Sequence, residues 1–142
     1  MSYVLREAEI PVLPAGHDPI RILHFSDLHL TPRRKTEIAD IKSWVKYSPD
    51  LVISTGDFLA DMKAVPVVLD ALDGLLDIPG LFVFGSNDYF APKPKNPLKY
   101  LLPDHGKRVH GADLPWPELD AGLQAHGWKN LNRSRATIKI ND

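Results

Sequence analysis

Cysteine is absent from the 142-residue sequence. Its absence excludes a disulfide framework and any zinc site built from thiolates. A chain without disulfides also fits a reducing compartment, so we expect a cytoplasmic protein.

Long apolar runs and a strong charge imbalance are missing as well. No stretch approaches the roughly 18 apolar residues that would indicate a membrane span, and residues 1–8 lack the apolar core of a signal peptide. The formal net charge of −1 gives no general reason to expect binding to nucleic acid or to an anionic membrane. We therefore expect no transmembrane segment and no strong nucleic-acid signal, while the oligomeric state stays open.

The residues that are present predict a single α/β domain over residues 1–142. Hydrophobic residues make up 44% of the chain and charged residues 25%, which is typical of a globular domain. Short apolar runs, typical of buried strands, alternate with stretches of helical spacing. This β-α-β-α-β order predicts a parallel sheet covered on both faces. The predicted strands are 20–25, 51–53 and 81–84, and the predicted helices lie between them, near 38–45 and 65–76.

Further elements are predicted on either side of this unit. A loosely alternating stretch over residues 3–13 predicts a first strand at a sheet edge. The remaining predictions are a helical turn at 98–102, a helix at 117–126, and strands at 128–131 and 136–140.

Polar side chains follow each of the three central strands at the point where the strand ends. Asp27 and His29 follow the first strand, Asp57 the second, and Asn87 and Asp88 the third. Right-handed crossovers place the carboxyl ends of parallel strands along one edge of the sheet, which is where open α/β sheets bind ligands. We therefore expect these side chains to face one another. An Asp after a strand is also a common helix N-cap, which is the alternative interpretation for any one of them.

Carboxylate, imidazole and carboxamide ligands suit divalent Mn, Fe, Zn, Co or Ni. In Asp27-Leu28-His29 the side chains at i and i+2 of an extended segment would point to the same side and bind one ion. Asp57 follows Gly56, whose backbone freedom would let the carboxylate approach closely and bridge two ions, and Asn87 would offer an oxygen to the second ion. Two such ions activate water for the hydrolysis of a phosphate ester.

These motifs resemble the N-terminal half of the calcineurin-like metallophosphoesterases. Phe25-Ser26-Asp27-Leu28-His29, Ser54-Thr55-Gly56-Asp57 and Gly85-Ser86-Asn87-Asp88 carry the resemblance in order and spacing. It implies a four-layer α/β/β/α sandwich. It also implies that Asp27 and His29 bind a first metal, Asp57 bridges, and Asn87 binds a second metal. A metal-bound water would then attack a phosphate monoester or diester.

The third motif departs from the family pattern of Gly-Asn-His followed by Asp or Glu. Aligned from Gly85, Ser86 takes the place of the metal ligand and Asn87 that of the histidine that protonates the leaving group. With a slip of one residue, Asn87 is the ligand and Asp88 takes the catalytic place of the histidine. We prefer the second alignment, because an amide oxygen is a better metal ligand than an alcohol.

The Gly-His-x-His motif that completes the family site does not occur in the sequence. We therefore expect the chain to be the N-terminal part of a longer, truncated domain. Two other functions stay open. The chain could be an inactive binding protein of the same fold, or, as a weaker alternative, Asp27 could be a covalent nucleophile of the haloacid-dehalogenase type, although that chemistry favours Asp-x-Asp.

Overall fold

The computed structural model of the chain describes residues 3–92 and 111–140. Within these residues, four strands form one parallel sheet in the sequential order β1-β2-β3-β4, and four α-helices and one 3-10 helix connect or flank them. The strands are β1 (Ile22–Phe25), β2 (Leu51–Ser54), β3 (Gly80–Phe82) and β4 (Lys129–Asn130); the helices are α1 (Lys35–Lys42), a 3-10 helix (Ser43–Tyr47), α2 (Val65–Leu76), α3 (Ser86–Tyr89) and α4 (Trp116–Ala125).

The helices lie in one layer, because α1 packs against α2 and α2 packs against α4. Sequential strand order with right-handed crossovers places every connecting helix on the same side of a parallel sheet. Phe25 faces this layer and contacts the ring of Trp44, with 5.7 Å between ring centroids. The α/β class is confirmed. The prediction that helices cover both faces is wrong for the described residues, which contain one helix layer and one sheet layer.

The opposite face of the sheet carries side chains that the described residues leave partly open. Ile22 and His24 of β1 pair with Leu51 and Ile53 of β2, so the four side chains point away from the helices. Ile22 is 52% exposed and His24 is exposed, whereas Leu51 is buried. The imidazole Nε2 of His24 lies 3.1 Å from Oγ1 of Thr55.

The helix face of the sheet forms the hydrophobic core. Phe58 lies at its centre, fully buried, with its ring against those of Phe25, Phe82 and Phe84. Trp128 closes the other end, where its indole N–H donates to the carbonyl of Ile78 at 3.1 Å. This core holds the carboxyl ends of β1, β2 and β3 in fixed positions next to one another.

Two predicted strands do not form. Residues 3–21, all of which are described, contain no strand, and their apolar side chains are largely exposed; Val4 is 79% exposed. The segment is held at its two ends, by the ring of Tyr3, which lies 5.1 Å from that of Trp44, and by Arg21, whose backbone N–H donates to the carboxylate of Asp50 at 2.8 Å. Residues 136–140 are likewise not a strand. The helical turn predicted at 98–102 lies outside the described residues.

Within residues 3–92 and 111–140, no helix has both the length and the apolar character needed to cross a membrane.

Candidate metal centre

The loops that follow β1 and β2 run side by side beyond the ends of their strands. Asp27 N–H donates to the carbonyl of Gly56 at 3.0 Å, and His29 N–H donates to the carbonyl of Asp57 at 2.9 Å. The parallel pairing thus continues past the strands, so the side chains at positions 27, 29 and 57 keep a fixed register.

Leucines alternate with the candidate ligands in the first of these loops. Leu28 and Leu30 are buried in the core, at 1% and 0% exposure, whereas Asp27 is exposed and His29 is half-buried. Because Leu28 and Leu30 point into the core, Asp27 and His29, which alternate with them, point outwards to the same side. The prediction that these two side chains share a side is confirmed by this alternation.

The backbone that achieves this is not extended, contrary to the assumption behind that prediction. Asp27, His29 and Asp57 have φ angles of 58°, 44° and 59°, in the left-handed region. Asp and His are among the non-glycine residues that tolerate this conformation best. Such backbone is uncommon and costs free energy, and it concentrates at functional sites.

The side chains of Asp27, His29 and Asp57 meet at one point. His29 Nε2 lies 3.6 Å from Oδ1 of Asp27 and 3.9 Å from Oδ2 of Asp57. One ligand atom from each residue lies within 4.8 Å of the others, and Ser26 Oγ donates a hydrogen bond to Asp27 Oδ2. Two carboxylates and one imidazole at this spacing fit a divalent transition-metal ion, whose bonds to such ligands are about 2.0–2.2 Å long for zinc.

Asn87 lies beside Asp57, on the short helix α3. Its backbone N–H donates to Asp57 Oδ1 at 3.0 Å, and its side-chain amide donates to Asp57 Oδ2 at 2.8 Å. Ser86, one residue earlier, is exposed. The fold thus brings the side chain of Asn87 into contact with Asp57 of the cluster.

Asp88 is fully buried, and its environment differs from the one expected for a proton donor. Its two carboxylate oxygens accept hydrogen bonds from the backbone N–H groups of Asp57, Phe58, Leu59 and Gly85, at 2.7 to 3.0 Å. Burial raises the pKa of the Asp88 carboxyl, and the N–H donors oppose that rise.

Two glycines let the second and third loops approach each other. A Cβ on Gly56 would lie 2.3 Å from the nitrogen of Gly85, and a Cβ on Gly85 would lie 2.0 Å from Oδ1 of Asp57. Gly56 also has a φ of +99°, a conformation natural to glycine. The sequence indicated the role of Gly56, but gave no sign that Gly85 lies directly against the candidate ligand.

Asn132 is a supporting residue that the sequence interpretation missed. It follows β4; its side-chain oxygen accepts from Phe84 N–H at 3.3 Å, and its amide lies 3.4 Å from the hydroxyl of Tyr89. Asn132 thereby connects the fourth strand to the start and end of the third loop. Its position just after Leu131, the last residue of the strand predicted over 128–131, was the signal available in the sequence.

The family model for calcineurin-like phosphoesterase matches residues 20–139, which include every residue of the cluster. Neither a curated protein nor a solved structure shows significant similarity to the chain.

Proposed function

The chain belongs to the calcineurin-like phosphoesterase family, and we propose that it is a metal-dependent hydrolase of phosphate monoesters or diesters. The observation that carries the proposal is the cluster of Asp27, His29 and Asp57, whose ligand atoms lie within 4.8 Å of one another at the carboxyl edge of the sheet. Family membership supports phosphoester hydrolysis in general, and the cluster supplies ligands suited to it.

We further propose two divalent ions, drawn from Mn, Fe, Zn, Co and Ni. Asp27 and His29 would hold the first ion, Asp57 would bridge, and Asn87 would hold the second. The contact between Asn87 and Asp57 supports this assignment. When bound, such ions lower the pKa of water and neutralise charge on the phosphoryl oxygens.

Two residues next to the cluster support the proposed function: Ser26 orients a ligand, and Arg34 adds a positive charge. Ser26 donates to one oxygen of Asp27, which leaves the other facing His29. The Arg34 guanidinium reaches the carbonyl of Leu28 at 3.4 Å, so a cation lies next to the loop that carries Asp27 and His29. A cation at this position favours the approach of an anionic phosphate ester.

The test is hydrolysis of p-nitrophenyl phosphate and bis(p-nitrophenyl) phosphate by purified protein supplied with Mn²⁺. Asp57→Asn removes the carboxylate proposed to serve both ions and should lower the rate by at least about 100-fold, in line with the loss of a group placed to act on the reaction. Asp70→Asn is the matched control, because Asp70 is exposed on α2 and pairs with Lys42 at 2.7 Å. Equal rates in Asp57→Asn and the wild type would refute the metal assignment.

A second candidate function is metal binding without catalysis. The third motif, Gly85-Ser86-Asn87-Asp88, lacks the histidine that the family uses to protonate the leaving group, and this favours a fold that kept its ligands but lost hydrolysis. Mn²⁺ binding by a protein inert towards both aryl esters would favour this alternative. Two expectations from the sequence stay predictions: that the protein is cytoplasmic, and that the chain is the N-terminal part of a longer domain.

A further inference from the structure

We propose that Asp88 is a positioning residue, which locks the loop of Asp57 to the third motif and so fixes the candidate ligands Asp57 and Asn87 before a metal ion binds. This inference rests on the proposed function, because it assigns Asp88 a purpose within that site. It replaces the role of proton donor that the sequence suggested for the same residue.

The hydrogen bonds of Asp88 join two separate loops. Its Oδ1 accepts from Phe58 and Leu59 at 2.7 and 3.0 Å, and its Oδ2 accepts from Asp57 and Gly85 at 2.7 and 2.9 Å. Three consecutive N–H groups of the second loop therefore converge on one carboxylate of the third. A carboxylate that accepts several backbone N–H bonds is held in one orientation, and the donors are held with it.

Asp57 completes the connection in the opposite direction. While the N–H of Asp57 donates to Asp88, the carboxylate of Asp57 accepts from the N–H of Asn87 at 3.0 Å. Each of the two neighbouring loops thus presents a carboxylate to the backbone of the other. The reciprocal contact sets the relative position of Asp57 and Asn87, the pair proposed to reach the second ion.

The same geometry argues against proton donation to a substrate. Asp88 is fully buried, and both of its oxygens already accept hydrogen bonds from the backbone. A general acid must come within hydrogen-bond distance of the leaving group, whereas this carboxylate is covered by the two loops that it joins. Its function is therefore exerted through Asp57 and Asn87.

Asp88→Asn tests the inference with little change of volume. One carboxylate oxygen becomes an amide NH₂, which cannot accept a hydrogen bond. In either amide orientation two of the four N–H donors lose their acceptor and face another donor. Supporting residues behind metal ligands typically change metal affinity by about 10–100-fold, so we expect Asp88→Asn to weaken Mn²⁺ binding by about tenfold or more.

The measurement is Mn²⁺ binding by calorimetry or by loss of the free-ion electron paramagnetic resonance signal, at a temperature where each variant is fully folded by circular dichroism. Val68→Ala is the control, because Val68 is fully buried in α2, in the helix layer. It should lower the unfolding temperature while leaving Mn²⁺ affinity unchanged. Wild-type affinity in folded Asp88→Asn, or an equal loss in Val68→Ala, would overturn the proposal.

Amide hydrogen exchange of the wild type tests the same point without a variant. The N–H groups of Asp57, Phe58, Leu59 and Gly85 should exchange slowly and with similar protection factors in metal-free protein, because one carboxylate accepts all four. Exchange of any of these four amides at the rate of an unfolded chain would refute the positioning role of Asp88. This test uses the wild type and therefore applies even if Asp88→Asn does not fold. A wild type that binds no Mn²⁺ but protects the four amides would instead refute the proposed function.

Discussion

Substituting Gly85 by Ala perturbs the candidate site through a steric clash with one residue, Asp57. The φ of Gly85 is −93°, a conformation that alanine adopts freely, so the substitution causes no backbone strain. The added Cβ would lie 2.0 Å from Oδ1 and 2.7 Å from Cγ of Asp57, although real Cβ atoms essentially never approach within 3.0 Å of another heavy atom. The carboxylate of Asp57 therefore has to move by about 1 Å.

A displacement of that size should be costly for metal binding and for catalysis. Misplacing a reacting or positioning group by about 1 Å can lower a rate by about 100-fold. Asp57 would also lose its hydrogen bonds from Asn87, at 3.0 and 2.8 Å, as it moves. Overpacking of this kind typically costs about 1–3 kcal/mol of stability. We expect Gly85→Ala to fold, to lose about 100-fold in the hydrolysis of aryl phosphates and to bind Mn²⁺ at least about tenfold more weakly.

The assay compares Gly85→Ala with Gly74→Ala, a glycine-to-alanine change outside the site. A Cβ on Gly74, in α2, would lie 3.5 Å from Cβ of Val45, an ordinary contact. Removing glycine from a helix interior should raise stability by about 0.5–1 kcal/mol, with no change in rate or in Mn²⁺ affinity. If Gly85→Ala binds Mn²⁺ as tightly as the wild type, Asp57 does not hold the ion in the position described.

Three further predictions concern stability. Mn²⁺ at 100 times its dissociation constant should stabilise the fold by about 2.7 kcal/mol, seen as a rise in unfolding temperature that a chelator reverses; no rise would contradict metal binding. Trp128→Ala should cost about 3–5 kcal/mol in chemical denaturation, because it leaves a core cavity and frees the carbonyl of Ile78; a cost below 1 kcal/mol would mean that Trp128 is not part of the core. Asn132→Ala should cost about 1–3 kcal/mol and speed amide exchange at Phe84, whose N–H loses its acceptor; unchanged exchange there would show that the hydrogen bond does not form.

The central elements were predictable because their signals are local. Runs such as residues 51–53 are too short and too apolar to be surface helices, and helical spacing over 65–76 coincides with α2. Parallel pairing then followed from the alternation of strands and helices, and it is confirmed by the sheet.

The errors come from properties that the local sequence does not encode. The alternation over residues 3–13 favours a strand, but a strand forms only where another strand supplies hydrogen bonds, and in the described residues this segment meets none. Coverage of the sheet faces depends on strand order. Sequential order places α1, α2 and α4 together in one layer, and the same β-α-β-α-β pattern with another order would divide them between two faces.

The candidate site shows the same division between local and non-local information. The positions of Asp27, His29 and Asp57 after apolar strands were sufficient to predict that they meet, and the structure brings them together. The environment of Asp88 was not predictable, because its four donors lie on loops that approach each other only after folding. The left-handed backbone of Asp27, His29 and Asp57 could not be predicted from the sequence either, although Asp and His are residue types that tolerate this conformation.

That left-handed backbone determines which substitutions can separate binding from folding at this site. Asn and Gly adopt positive φ readily, whereas Ala pays a steric cost and β-branched residues pay more. Asp27→Gly would therefore remove a ligand without strain at position 27, whereas Asp27→Ala would mix loss of the ion with backbone strain. In a related protein that has lost metal binding, we therefore expect Asn or Gly at positions 27, 29 and 57, because these residues preserve the conformation of the loops.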